Sequence, residues 1–254
     1  MKIALIQTSL FWENPKANRN HFEEKINAIN EKVDLIVLPE MFTTGFTMNP
    51  NDVAETMQGE TLLLLKSLAK AKNSAITGSL IIKEKNNFYN RLVFIFPSGE
   101  IQFYNKNHLF TLAGEDKVYA SGKEKLIIEY LGWKICPLIC YDLRFPVFAR
   151  NVEDYDILIY VANWPKPRTN AWDILLKARA VENMCYTIGV NRIGLDDANF
   201  EYIGHSQAVD FLGNNIIEPQ ETEDIFITKL DKESMLATRQ KLGFLYDRDS
   251  FQIS

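Results

Sequence analysis

The feature that narrows the possible folds most is a set of short apolar runs, each ending abruptly in polar or reactive residues. KIALIQT from Lys2, VDLIVL from Val33, WKICPLI from Trp133 and DILIYVA from Asp156 are of this kind. They are too short to span a bilayer as helices, and their near-continuous apolarity is that of strands buried on both faces. Between the first two runs, Asn14-Pro15 can cap and open a helix through about Asn30, with Phe22, Ile26 and Ile29 on one face, which makes a βαβ unit.

A helix from Glu60 to Lys72 follows a loop rich in Thr, Asn and Gly. Ala75 to Lys83, Phe88 to Phe96 and Glu100 to Tyr104 then read as an antiparallel meander, turning at Ser98-Gly99. Lys125 to Leu131 should pair with Trp133 to Cys140, where Pro137 is tolerable only at an edge or a bulge. Phe145 to Asn151 reads as a short helix. Thr169 or Asn170 should cap a helix through about Asn183, with Trp172, Leu175 and Leu176 on one face. Cys185 to Asn191, Gly204 to Phe211 and Ile225 to Leu230 are further strands, with a hairpin turn at Gly213-Asn214. Mixed strands alternating with two pairs of helices predict a two-sheet α/β sandwich.

No linker, repeat or low-complexity tract divides the 254 residues, so residues 1–254 are expected to form one domain. An apolar share of 46% is ample for a large core and argues against disorder. The net charge of −5, with no basic cluster, speaks against nucleic acid or an anionic membrane as partner. The apolar N-terminus is interrupted by Gln7 and Thr8 and lacks a small-residue cleavage site, so a soluble protein is expected. Three cysteines without framework spacing suit the reducing cytoplasm. The scattered histidines His21, His108 and His205, with no CxxC pair, argue against zinc.

Glu40, Lys106 and Cys140 each stand just past a strand end, where a rigid sheet can hold a reactive group at the edge of a cleft. A lone cysteine is usually an ordinary small hydrophobe, but these types together suit acyl transfer. A thiolate is the nucleophile, a carboxylate moves its proton, and an ammonium helped by the Tyr141 backbone N–H stabilises an oxyanion. Rival schemes lack their motifs, with no G-x-S-x-G, P-loop or G-x-G-x-x-G present.

The words around these residues are more specific. LPEMFTTGF around Glu40, YNKNHLF around Lys106 and ICYDLRFP around Cys140 resemble, in order, the Glu, Lys and Cys motifs of the nitrilase (carbon–nitrogen hydrolase) superfamily. AGEDKVY places Glu115 at that family's second carboxylate, while VANWPKPR, ARAVENMCYTIGVNRIG and YIGHS are similar to its omega-amidase branch. The resemblance runs nearly end to end. It implies an αββα sandwich that pairs through its helical face into a four-layered dimer. It also implies Glu40 as general base, Lys106 as oxyanion stabiliser, Cys140 as nucleophile, and Glu115 orienting Lys106 or assisting hydrolysis. The implied reaction is release of ammonia from the terminal amide of a 2-oxo dicarboxylic acid monoamide through a Cys140 thioester, with no metal or organic cofactor required. Another small amide or an N-carbamoyl amine would use the same chemistry, and a nitrile fits this branch less well. A catalytically silent binding module and a Cys136–Cys140 redox sensor are the rivals from other classes.

Asp142 and Arg144 either pair to hold the turn after Cys140, or Arg144 forks onto a substrate carboxylate. Trp164 is expected as a pocket wall, His108 as a loop histidine bonded to backbone, and Cys136 as core. Arg179 with Glu182-Asn183 should brace its helix against the Cys140 loop. The polar stretch from Lys106 to Gly122 is long enough for a lid. From about residue 239 the aromatic, charged tail is suited to docking on another subunit.

Overall fold

The computed structural model describes residues 1–252. Strand β1 (Lys2–Gln7) leads through helix α1 (Pro15–Asn27) to β2 (Leu35–Val37). Helix α2 (Glu60–Lys72) then leads to β3 (Ala75–Glu84), β4 (Asn87–Ile95) and β5 (Ile101–Asn105). The second half carries β6 (Ile128–Tyr130), β7 (Trp133–Ile139), α3 (Pro146–Ala149), β8 (Ile157–Ala162), α4 (Thr169–Asn183) and β9 (Tyr186–Asn191). It closes with the short strands β10 (Ile193–Leu195), β11 (Glu201–Ile203), β12 (Gln207–Val209) and β13 (Asn215–Ile217), then β14 (Asp224–Lys229) and α5 (Lys232–Leu242).

Two six-stranded sheets result, ordered β14-β1-β2-β3-β4-β5 and β13-β12-β9-β8-β7-β6. Within them β1-β2-β3 and β7-β8-β9 are parallel, and the remaining pairs antiparallel. Side-chain alternation sorts the layers. Ile3 and Leu5 join Leu35, Val37 and Phe94 against Ile135, Ile139 and Ile159 between the sheets. Ala4 and Ile6, pointing the other way, meet Phe22 and Ile26 of α1 and Leu62, Leu65 and Ala69 of α2. On the far side α4 lays Trp172 and Leu176 over β9 at Gly189, where a Cβ would stand 2.5 Å from Leu176 Cδ1. The architecture is an αββα sandwich, and no helix among the described residues is long and apolar enough to cross a membrane.

Several boundaries differ from expectation. Helix α1 starts as predicted, the Asn14 side chain accepting from the Ala17 N–H at 3.1 Å, but ends at Asn27. Strand β6 covers only Ile128–Tyr130, because Lys125 reaches away to Glu153 at 2.6 Å. It ends opposite Ile135, so the part of β7 that holds Pro137 has β8 alone as neighbour. Neither Thr169 nor Asn170 caps α4; a 3₁₀ turn over Lys166–Arg168 winds directly into it. The stretch from Gly204 to Phe211 is a strand only at Gln207–Val209, since Gly204 (φ +79°) and His205 (φ +60°) cannot extend. The β10–β11 hairpin was not foreseen. The Lys106–Gly122 segment is pinned at both ends, with Lys106 N–H on Asn90 O and Gly122 N–H on Lys106 O.

Gly189→Ala tests the α4–β9 contact. The added methyl also falls 2.6 Å from the stiff Trp172 ring, so a loss of about 1–3 kcal/mol in urea unfolding is expected. An unchanged midpoint would mean that the helix and strand are less closely packed.

Candidate active site

The site lies where the two sheets meet. Glu40 comes from the turn after β2 and Lys106 from the residue after β5, both in the first sheet; Cys140 follows β7 in the second. The Glu40 turn is tied down by Met41 N–H on Ser79 Oγ at 2.9 Å and Phe42 N–H on Ser79 O at 3.0 Å. Met41 and Cys140 both have φ of +42°, a region costly for side-chain-bearing residues and sustained only where the surroundings dictate it.

Lys106 sits between two fully buried carboxylates. Its Nζ is 2.8 Å from Glu40 Oε1 and 3.0 Å from both Glu115 oxygens. Asn90, from mid-β4, donates to Glu40 Oε1 at 2.8 Å and Glu115 Oε1 at 3.3 Å. The Phe110 N–H donates to Glu115 Oε2 at 2.6 Å. The other sheet supplies the last donors: Asn163 N–H reaches Glu40 Oε2 at 2.8 Å, and Asn163 Nδ2 reaches the Glu40 carbonyl at 2.6 Å. Every carboxylate oxygen thus has a donor, the condition under which buried charges are tolerated.

The electrostatics follow from this packing. Burial alone would push the Lys106 ammonium down, yet Glu115 and Glu40 hold it above the usual lysine range. Burial raises the Glu115 carboxyl, against the pull of Lys106. Burial, and then the Glu40 carboxylate, push the Cys140 thiol well above its ordinary range, Lys106 opposing. In the free site the thiol therefore keeps its proton at neutral pH, with a carboxylate beside it to receive that proton.

Asp142 does not pair with Arg144. It is a buried hub, accepting from Ile139 N–H at 3.0 Å and Tyr104 OH at 2.8 Å on one oxygen, and from His108 N–H at 3.0 Å and His108 Nδ1 at 2.8 Å on the other. Tyr104 OH accepts in turn from Asn107 N–H at 2.9 Å. One carboxylate thereby ties the residue before Cys140 to residues on both sides of Lys106. His108, expected to bond to backbone, is occupied by this carboxylate and stacks on Phe145 at 3.6 Å. Arg179 braces the turn after Cys140 through the Leu143 carbonyl at 2.6 Å and pairs with Glu182, whereas Asn183 holds Asn151. Cys136 is buried in the core, and all three cysteines are free.

Above the cluster opens a cavity of about 490 Å³, with Glu40, Lys106 and Cys140 among its lining residues. Tyr141, Arg144 and Trp164 also line it, together with Phe46, Phe110 and Tyr202. The Arg144 guanidinium lies 5.0 Å from the Trp164 ring. Sequence reasoning missed Asn90, Asn163 and Arg168. Asn163 follows an apolar strand just as Glu40 does, which was a usable signal; an Asn amid NFYNRLVFI was a fainter one. Among the described residues no cluster of His, Cys, Asp or Glu is arranged to hold a metal ion.

A buried carboxylate–ammonium–carboxylate cluster beside a strained cysteine, on an αββα sandwich, defines a class of hydrolase. The carbon-nitrogen hydrolase family pattern matches residues 2–240, and the chain belongs to that family. It is 41% identical to the omega-amidase YafV of Yersinia enterocolitica, over 99% of this chain and 98% of that protein. It is 31% identical to the 2-oxoglutaramate amidase of Bacillus subtilis, over 96% of each. The crystal structure of XC1258 from Xanthomonas campestris, a CN-hydrolase superfamily protein with an arsenic adduct in its active site, superposes with a TM-score of 0.98 at 39% identity, covering 100% of this chain and 99% of that one.

Two substitutions probe the geometry. In Asp142→Asn, either orientation of the amide turns an NH2 toward a backbone N–H, of Ile139 or of His108. A fall in kcat of about 10- to 100-fold with little change in KM is expected, because small misplacements of reacting groups cost rates of this order. Wild-type kcat would remove Asp142 from the positioning of the site. In Glu40→Gln a charge that raises the Cys140 pKa is gone, so the apparent pKa for iodoacetamide alkylation should drop. An unchanged or higher value would contradict the electrostatics described.

Proposed function

We infer that the protein is an omega-amidase, releasing ammonia from the terminal amide of a 2-oxo acid monoamide such as 2-oxoglutaramate or 2-oxosuccinamate. The observation that carries this reading is the cavity itself: its floor holds Glu40, Lys106 and Cys140, and its wall presents a guanidinium to a carboxylate. The likeness to YafV and to 2-oxoglutaramate amidase supports the choice of amide.

The steps follow from the contacts. Glu40 takes the Cys140 proton as sulfur attacks the amide carbon, and the carbonyl electrons move onto oxygen. Lys106 and the Tyr141 N–H, in the first turn of the 3₁₀ helix Cys140–Arg144, meet that oxyanion. Glu40 returns the proton to nitrogen, ammonia leaves, and a thioester remains. Water, losing a proton to Glu40, attacks the thioester, and departing sulfur regains the proton as the acid is released. Glu115 holds Lys106 in place through both of its carboxylate oxygens. Arg144 takes the far carboxylate with its planar fork and Trp164 walls the acyl chain.

The reading extends to a cytoplasmic homodimer with no organic cofactor. Three free thiols suit a reducing compartment. Val147 of α3 with Ile174 and Val181 of α4 expose apolar side chains on the helical face, which supports pairing there.

Ammonia release is measured from 2-oxoglutaramate, 2-oxosuccinamate, asparagine and a carbamoyl amine, with wild type and Cys140→Ala. The 2-oxo amides should be preferred and turnover lost by at least about 10³-fold in the variant. Turnover of a different amide alone would keep the mechanism and discard the substrate, and Cys140-independent turnover would discard both.

A further inference from the structure

We propose that Arg168 is a specificity-determining residue that reads the 2-oxo group, acting beside Arg144 as the second half of a two-guanidinium clamp. The inference rests on the omega-amidase reading and deepens it.

Arg168 lies in the 3₁₀ turn before α4 and lines the catalytic cavity. Its guanidinium sits 5.2 Å from the Phe110 ring, as that of Arg144 sits 5.0 Å from Trp164. Trp164 joins the two, giving its ring to Arg144 and its Nε1–H to the Arg168 carbonyl at 2.7 Å. Elsewhere arginines have partners within the chain: Arg91 pairs with Glu84 at 2.7 Å, and Arg192, which lacks an acid, is held by the Leu195 carbonyl at 2.8 Å. Among the described residues neither Arg144 nor Arg168 has such a partner, although the cavity also contains Asp196. That carboxylate is engaged by the Ala198 and Phe200 N–H groups at 3.0 and 2.9 Å and by Tyr202 OH at 3.0 Å.

Two guanidinium forks stacked on aromatic walls in one cavity, without acids of their own, present more donors than one carboxylate can accept. A 2-oxo acid head supplies the further acceptor, since its ketone oxygen lies next to the carboxylate and in its plane. A 2-amino acid head puts an ammonium in the same place, which has no acceptor to offer and is repelled by a cation. Arg168 thus separates 2-oxoglutaramate from glutamine, which differ only at that carbon. The wall it stacks on is also mechanistically placed, because the Phe110 N–H holds Glu115 at 2.6 Å. An occupied clamp steadies the partner of Lys106.

The test compares kcat/KM for 2-oxoglutaramate, for glutaric acid monoamide, which has CH2 in place of the ketone, and for glutamine, in wild type, Arg168→Ala and Arg168→Lys. Arg168→Ala should lose about 10- to 100-fold on 2-oxoglutaramate and less than about threefold on the monoamide, as expected for loss of a charge-assisted hydrogen bond to one group. Arg168→Lys should fall between, keeping stem and charge without the fork; it carries the test if the alanine variant does not fold. Equal losses on both acids, or no loss, would overturn the proposal. Wild-type failure to hydrolyse 2-oxoglutaramate while hydrolysing another amide would instead strike the omega-amidase reading, and the clamp with it.

Discussion

The structure turns on one clasp between its two sheets, the grip of Asn163 on Glu40. The two residues are 123 positions apart, and a backbone N–H and a side-chain amide of one meet the carboxylate and the carbonyl of the other. Through Glu40 the clasp continues to Lys106, and through Lys106 to Glu115. Burying these charges costs several kcal/mol per ion, and only a complete set of donors offsets it. The cluster therefore tolerates no loose fit. Sheet stacking, the turn after β2 and the segment after β5 all have to be correct together before any charge in it is satisfied.

The proposed nucleophile is governed from the other side. Cys140 stands at φ +42° where β7 breaks into a 3₁₀ turn. Asp142 binds that turn to Tyr104 and His108, so the strain is held by the same strand that delivers Lys106. In the proposed mechanism a protonated thiol beside a carboxylate and an ammonium is the resting state, quiet until an acyl group arrives. Glu40, Lys106 and Cys140 share one cavity with Arg144, Arg168 and several aromatic rings, so the proposed chemistry and the proposed selection of substrate meet in one place.

Much of this was legible in the sequence, and the rest was hidden for physical reasons. Apolar runs such as DILIYVA announce buried strands because both faces of a covered parallel sheet are dry. Glu40, Lys106 and Cys140 were readable as residues that end such runs, and their surrounding words resembled a known family. The β10–β11 hairpin was not, since its three-residue strands, IGL and EYI, carry too little pattern. Asn90 escaped because its partners arrive from segments 50 and 25 residues away. Asp142 was seen, and one of its two readings paired it with Arg144: that residue is its neighbour along the chain, while the donors it meets come mostly from β5 and the segment after it. Local spacing favours the near pair; tertiary apposition chose the far one.

The account depends on a thioester at Cys140, and partition to hydroxylamine tests it most directly. Turnover is run with added hydroxylamine on glutaric acid monoamide, which has no ketone to form an oxime, and on the corresponding terminal methyl ester, and hydroxamate and free acid are both measured. A shared acyl-enzyme predicts hydroxamate from both donors in the same ratio to acid, whatever group has left. Acid alone, or a ratio that changes with the leaving group, would show that the acyl group never rests on the cysteine.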